Sequence, residues 1–215
     1  MATQQEKFER FSDLHWQQGA FVVGNPWDAG TARILTQMGY PALATTSAGL
    51  GFTLGKRSSF AALTRQEVLL NARIIVEATD LPVTADLEDG FGIDPYTCGE
   101  TIEMAIDMGL VGGSIEDATG HADAPILDMV LASDRIAAAA EAKRDKPFLL
   151  TARAENFLWG RHDLDDTIRR LNAYAEAGAD VLYAPGLSDL NDIRMLCREV
   201  NRPVNVVMGL VGPSI

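Results

Sequence analysis

The sequence predicts a parallel (β/α)8 barrel of the TIM type, and three observations carry that expectation. A short apolar strand, a polar turn and an amphipathic helix recur along the chain, with seven such strands in sequence. The strand segments are apolar on both faces, and each crossover is long enough for a helix, as a parallel sheet requires. No Gly-x-Gly-x-x-Gly follows the first strand, which weakens the alternative of a doubly wound dinucleotide-binding sheet.

The strands read AFVVG (20–24), ALATT (42–46), PVTAD (82–86), GSIED (113–117), FLLTAR (148–153), VLYAP (181–185) and VNVVM (204–208). Ahead of the first, Phe8, Phe11 and Leu14 recur at helical spacing in a charged segment, unlike the continuous apolar region of a signal peptide. Between strands, 64–79 opens on Thr64, Gln66 and Glu67, a capping-box pattern. The segment 101–109 ends on Gly109, a helix-stopping residue, and 133–145 is alanine-rich with charged ends. The helix after the fifth strand carries acids early and bases later, matching the helix dipole, and SDLNDIRMLCREV repeats that plan. No linker interrupts the series, so residues 1–215 read as one barrel domain. A closed barrel takes about 250 residues. With seven strands counted in 215 residues, the eighth strand and the C-terminal helices are expected to be absent from this chain.

Composition narrows the function classes. The chain is 47% hydrophobic and 22% charged, with 30 acidic against 18 basic residues and a net charge of −12. That balance argues against nonspecific nucleic-acid binding and against docking on anionic lipid. No apolar run is long enough to span a membrane. Cys98 and Cys197 lack metal-type spacing and read as reduced, helix-borne, buried thiols, pointing to a cytoplasmic protein.

Catalytic groups of such barrels sit at the C-terminal ends of the strands. Here those ends carry Asn25, Trp27 and Asp28; Ser47, Ala48 and Gly49; Asp86, Glu88 and Asp89; Glu116 and Asp117; Arg153, Glu155 and Asn156; and Asn205. Crowded carboxylates repel and take up protons unless a cation sits among them. With no histidine on the strand ends the ligands are oxygen only, which selects a hard ion, Mg²⁺ or Mn²⁺. Asp86 and Glu88 share strand phase and would face one pocket, while Asp89 points elsewhere. Arg153 offers a fixed fork for a carboxylate or phosphate, and the Ser47-Ala48-Gly49 turn offers backbone N–H groups to an oxyanion.

The segments TTSAG, ADLEDGFG, GGSIEDA and LTARAENFLWG, in that order at strands two to five, together with the opening GNPWDAGTARIL, resemble the isocitrate lyase/phosphoenolpyruvate mutase superfamily. The resemblance implies a (β/α)8 barrel that uses Mg²⁺ and acts on small 2-oxo acids or their phospho-enol relatives, making or breaking C–C or P–C bonds beside an enolpyruvate unit. It implies Asp86 as the direct metal ligand, with Glu88 and Glu116 holding the ion through water. It implies Arg153 as the grip on a substrate carboxylate or phosphoryl group, and Ser47, Ala48 and Gly49 as the pyruvyl-binding segment. It also implies a homo-oligomer, dimer or tetramer, whose subunits exchange a C-terminal helix. Lyases of the family carry Lys-Lys/Arg-Cys-Gly-His after strand four and a Tyr before the strand-two Ser. This chain has ATGHADAPILD there and Thr45 and Thr46 before Ser47. Mutases carry an Asp where this chain has Ser58. The expectation is an Mg²⁺-dependent C–C lyase or decarboxylase acting on a small oxo or hydroxy diacid, such as oxaloacetate or a substituted malate. The alternatives are a P–C mutase or hydrolase, and a degenerate barrel that binds a dicarboxylate without turnover.

Each candidate also has a plainer reading. The ADLEDG acids could form a solvated turn, Arg153 could pair with Glu155, and Ser47 could cap a turn. Trp27 lines the pocket or packs under its loop, and Asn205 touches substrate or bonds within the barrel. His121 reads as an exposed loop histidine, and His15 and His162 as structural.

Overall fold

The computed structural model describes residues 2–56 and 62–208. All seven expected strands form, and each pairs in parallel with its sequence neighbours in the order β1 to β7. They are β1 (Val23–Gly24), β2 (Ala42–Ala44), β3 (Val83–Asp86), β4 (Gly112–Glu116), β5 (Leu149–Arg153), β6 (Val181–Tyr183) and β7 (Val204–Asn205). Parallel neighbours joined by helical crossovers curl the sheet into the arc of a (β/α) barrel, with seven strands among the described residues. The outer strands are shorter than the apolar runs predict, because only two residue pairs match in register between β1 and β2, and two between β6 and β7.

Among the described residues eight helices are interspersed with the strands, α3 and α4 both falling between β2 and β3: α1 (Gln4–Trp16), α2 (Ala29–Gln37), α3 (Ser47–Thr53), α4 (Arg65–Glu77), α5 (Pro95–Asp107), α6 (Met129–Ala142), α7 (Leu164–Glu176) and α8 (Leu190–Glu199). Every one begins on a side-chain cap, from Thr3, Asp28, Thr46, Thr64, Asp94, Asp128, Asp163 and Asp189 in turn. Part of the acidic excess therefore satisfies helix N–H groups and their dipoles. Two helices start earlier than periodicity predicts. Asp94 followed by Pro95 at the first helical position opens α5, and Asp128 opens α6 with bonds to the Val130 and Leu131 amides. Three residues assigned to a strand-two turn, Ser47, Ala48 and Gly49, instead form the first turn of α3, because Thr46 caps that turn on the Gly49 amide.

The main core lies between sheet and helices, where Leu43, Val83, Ile115, Leu150 and Leu182 pack under Val68, Ile75, Ile102, Ile136 and Leu171. A smaller cluster of Phe11, Ala42, Val111 and Leu149 closes the N-terminal end of the sheet, with α1 laid across it. Gly112 permits this approach: a Cβ there would lie 3.0 Å from the Phe11 ring and 2.8 Å from Thr84 Oγ1. His15 is structural, bonded through Nδ1 to the Phe11 carbonyl at 2.7 Å and edge-on to Phe11 and Phe21. Cys98 is buried, as expected, but Cys197 is exposed. On α8 the buried residue is Leu196, and the next position turns about 100° toward solvent. No helix among the described residues is long and apolar enough to cross a membrane.

Candidate active site

With one end of the sheet closed by α1, the other end gathers charge. In register, Glu116 on β4 lies beside Arg153 on β5, and Arg153 beside Tyr183 on β6. The Arg153 guanidinium spends every nitrogen on carboxylates from this rim. Nη1 bonds Asp86 Oδ1 at 3.0 Å, Nη2 meets Glu116 Oε2 at 2.9 Å, and Nε bonds Glu155 Oε1 at 2.8 Å. Its face rests on the Tyr183 ring, 5.3 Å from the centroid. The plainer reading of Arg153, an ion pair with Glu155, is realised, and the same guanidinium also bonds Asp86 and Glu116 at the rim.

Asp86 is held on all sides. Its amide donates to Thr45 Oγ1 at 3.0 Å. Its Oδ2 accepts from the Ser47 hydroxyl at 2.7 Å and the Ser47 amide at 3.2 Å, and Oδ1 accepts from the Glu88 amide at 3.3 Å. The shared strand phase expected of Asp86 and Glu88 does not hold, because β3 ends at Asp86 and Glu88 sits in the left-handed region at φ 50°. A turn rather than the pleat brings Glu88 in. It is buried, its carbonyl accepts from the Glu116 amide at 3.0 Å, and its charge weighs on Glu116. Asp89 is structural, as expected, with its carboxylate accepting from the Phe91 amide at 2.9 Å. Gly90, at φ 75°, stands where a Cβ would lie 2.7 Å from Cys98 Sγ.

Burial pushes the Glu116 carboxyl well above its usual range. Arg153 opposes this, and Glu155, Asp86 and Glu88 reinforce it. Burial likewise raises Glu155 against the pull of Arg153, with Asp117 and Asp86 adding to the rise. For Arg153 burial works against the charge, but Glu116, Glu155 and Asp86 outweigh it and hold the guanidinium firmly protonated. One cation thus faces three carboxyl groups, Asp86, Glu116 and Glu155, and Glu88 adds its charge beside Glu116.

Behind the rim, Asp117 anchors Glu155. Its Oδ1 accepts the Glu155 amide at 2.8 Å, and its Oδ2 accepts Tyr174 Oη at 2.6 Å and Arg170 Nη1 at 3.2 Å. Arg170 also bonds Asp166, which accepts from Asn156 Nδ2 at 2.8 Å. Asp117→Asn removes the charge that faces Arg170 and should cost about 1–3 kcal/mol. Urea unfolding of the two proteins side by side measures it, and an unchanged midpoint and slope would contradict this role.

Of the remaining candidates, Ser47 touches the rim cluster through its bonds to Asp86. Trp27 is half exposed, takes Asn71 Nδ2 on its carbonyl at 2.9 Å and packs its Cβ near Gly49. Asn205 is exposed at the end of β7. The amides of Ser47 and Gly49, expected to be open donors, already bond Asp86 and Thr46. Ser58 lies outside the described residues. His121 is exposed at the tip of a short hairpin closed by the Ala118–Ile126 bridge, and His162 packs edge-on against Phe157. Sequence reasoning missed Tyr183, although it ends β6 in register with Arg153.

A family model described as phosphoenolpyruvate phosphomutase matches residues 11–215. The chain belongs to the isocitrate lyase/phosphoenolpyruvate mutase superfamily. Among solved structures, a Burkholderia cenocepacia J2315 protein with the provisional description lyase/mutase is 54% identical at a TM-score of 0.95, covering 99% of this chain and 76% of that one. The 2-methylisocitrate lyase of Escherichia coli K12 is 28% identical over 82% of this chain, which spans 61% of that lyase's length. A phosphonopyruvate hydrolase in complex with oxalate and Mg²⁺, 21% identical, shares the fold at a TM-score of 0.86 over 96% of this chain and 72% of its own. The rim carboxylates described above are thus this superfamily member's C-terminal strand ends.

Whether these residues suit the divalent ion used in the superfamily turns on donor chemistry. The set is oxygen only, and its negative charge exceeds what Arg153 supplies. Among the described residues no three acidic, His or Cys side chains are grouped so that together they could hold a metal ion. Mg²⁺ does not require such a group, since it keeps several waters and is commonly held by one or two carboxylates. The donor set fits the ion.

Proposed function

We propose that this chain is an Mg²⁺-dependent lyase that cleaves a C–C bond in a small 2-oxo or 2-hydroxy dicarboxylic acid. The observation that carries the reading is Arg153, buried at the rim and shared among carboxylates from β3, β4 and the end of β5. Superfamily membership and the names of its relatives support a lyase or mutase chemistry.

Asp86 would hold the ion directly and Glu88 and Glu116 through water, and the ion would supply positive charge where an oxyanion develops at C2 of the substrate. Arg153 orients a substrate carboxylate by exchanging one of its own carboxylate contacts for it. Ser47 trades its bonds to Asp86 for bonds to the substrate, and Ala48 and Gly49 shape the same wall. Trp27 and Asn205 border the opening. In oxaloacetate, breaking the C3–C4 bond releases C4 as CO2 and leaves the electron pair on C3, conjugated with the C2 oxygen. The proton that C3 then takes does not come from a cysteine, since Cys98 is buried below the 89–90 turn and Cys197 lies on α8. That favours oxaloacetate or substituted malates over isocitrate-type substrates.

Incubation with oxaloacetate, 2,3-dimethylmalate and phosphonopyruvate, each with Mg²⁺ or with EDTA, tests the reading. Cleavage of each substrate yields pyruvate, that of phosphonopyruvate with phosphate, whereas rearrangement of phosphonopyruvate gives phosphoenolpyruvate and neither product. The expected result is Mg²⁺-dependent pyruvate from one of the first two without phosphate. Pyruvate at the same rate under chelation would defeat the metal reading, phosphate release or phosphoenolpyruvate formation would move the chain to P–C chemistry, and oxalate binding without any turnover would leave a dicarboxylate-binding barrel.

A further inference from the structure

Arg135 is the largest fully buried side chain of the core, 1% exposed in the middle of α6. A buried cation is costly unless paired or fully hydrogen-bonded, yet no carboxylate forms an ion pair with it among the described residues. Its two terminal nitrogens bond backbone carbonyls, the Cys98 thiol lies beside it, and its buried Nε has no hydrogen-bond partner among the described residues. Nη2 donates to the carbonyls of Asp89 and, at 3.1 Å, Gly92, and Nη1 donates to the Glu116 carbonyl at 3.4 Å. Two of these oxygens belong to the turn that carries Glu88, and the third belongs to Glu116 itself.

That turn needs holding. Glu88 and Phe91 both adopt left-handed backbone, at φ 50° and 62°, beside Gly90 at 75°. Non-glycine residues persist there only where the surroundings over-determine them. Thr101 Oγ1 fixes the Gly90 carbonyl at 2.8 Å from α5. The Arg135 side chain binds both this turn and the end of β4, with the planar fork that lets one group serve several oxygens.

We propose that Arg135 is a positioning residue for the metal-holding carboxylates: its guanidinium ties the backbone of 88–92 to that of Glu116 and so fixes the separation of Glu88 and Glu116. It acts from beneath the rim and touches no substrate. The inference rests on the reading of Asp86, Glu88 and Glu116 as the metal-holding group.

The test is direct Mn²⁺ binding to the full chain, read by electron paramagnetic resonance, for wild type, Arg135→Met, Arg135→Lys and Asp86→Asn, with near-UV circular dichroism to establish folding. Arg135→Met should weaken Mn²⁺ roughly 10- to 100-fold, the usual scale for losing an outer-shell partner. Arg135→Lys, which keeps the charge but not the fork, should fall between. With the substrate in hand, the Mg²⁺ concentration for half-maximal rate should rise while kcat at saturating Mg²⁺ changes far less, a split that general loosening of the fold would not give. A folded Arg135→Met protein with wild-type Mn²⁺ affinity would overturn the inference, and Arg135→Lys decides in the same way if Arg135→Met does not fold. If Asp86→Asn also binds Mn²⁺ like wild type, the metal reading itself is wrong and the inference falls with it. If only Asp86→Asn loses Mn²⁺, the metal reading stands and the role of Arg135 alone is refuted.

Discussion

Asp86→Asn should abolish Mg²⁺-dependent turnover while leaving the protein folded. The amide keeps the shape of the side chain and can still accept from Ser47, but it removes the charge that would bind the ion directly. Charge stabilisation by a bound cation is worth several kcal/mol, so the rate should fall at least about 1,000-fold. Asp86 retains about a fifth of its side-chain exposure, in keeping with a group that faces the opening rather than the core. Steady-state rates at saturating Mg²⁺, with a thermal melt of each protein, check this. Activity within tenfold of wild type would place the metal elsewhere or remove it from the chemistry.

Arg153→Met should cost about 3–5 kcal/mol, the usual consequence of removing one partner from a buried ion-pair group. The side chain that remains would face Asp86, Glu116 and Glu155 without compensating charge. The loss should depend on pH. In metal-free protein, burial raises the Glu116 and Glu155 carboxyls above their usual 4.5, and Arg153 is the main influence opposing it. A folded state whose carboxyl pKa is raised binds more protons than the unfolded chain, so stability falls as pH rises through the folded value. Without Arg153 that window extends further upward. Unfolding free energies in EDTA should therefore drop more between pH 5 and pH 8 for the variant than for wild type. Equal pH profiles would show that the guanidinium does not hold these groups ionised.

How much of this was legible in the sequence follows from what each signal depends on. The seven strands were visible because parallel strands are apolar on both faces, and every crossover is helical. Asp86, Glu116 and Arg153 were visible because a barrel collects its polar strand ends at one rim, and the structure brings these three together. The start of α3 was not, since one threonine cap turned an apparent loop into helix. Glu88 was expected beside Asp86 through strand alternation, but the ladder ends at Asp86 and Glu88 follows in a left-handed turn, buried near Glu116. Arg135 left a signal that went unread. Ala132, Ile136 and Ala139 mark the buried stripe of α6, and Arg135 falls on the same stripe. Asp117, by contrast, looked like one more rim acid, and only the side chains of Tyr174 and Arg170 on α7, distant in sequence, reveal it as a buttress.

A crystal structure with Mg²⁺ and oxalate bound would bear most directly on the claim that the rim carboxylates and Arg153 form one ion- and anion-binding centre. The account predicts the ion on Asp86, with Glu88 and Glu116 reached through water, and the oxalate carboxylate on Arg153. An ion bound away from Asp86, or oxalate absent while Arg153 keeps its three carboxylates, would contradict it.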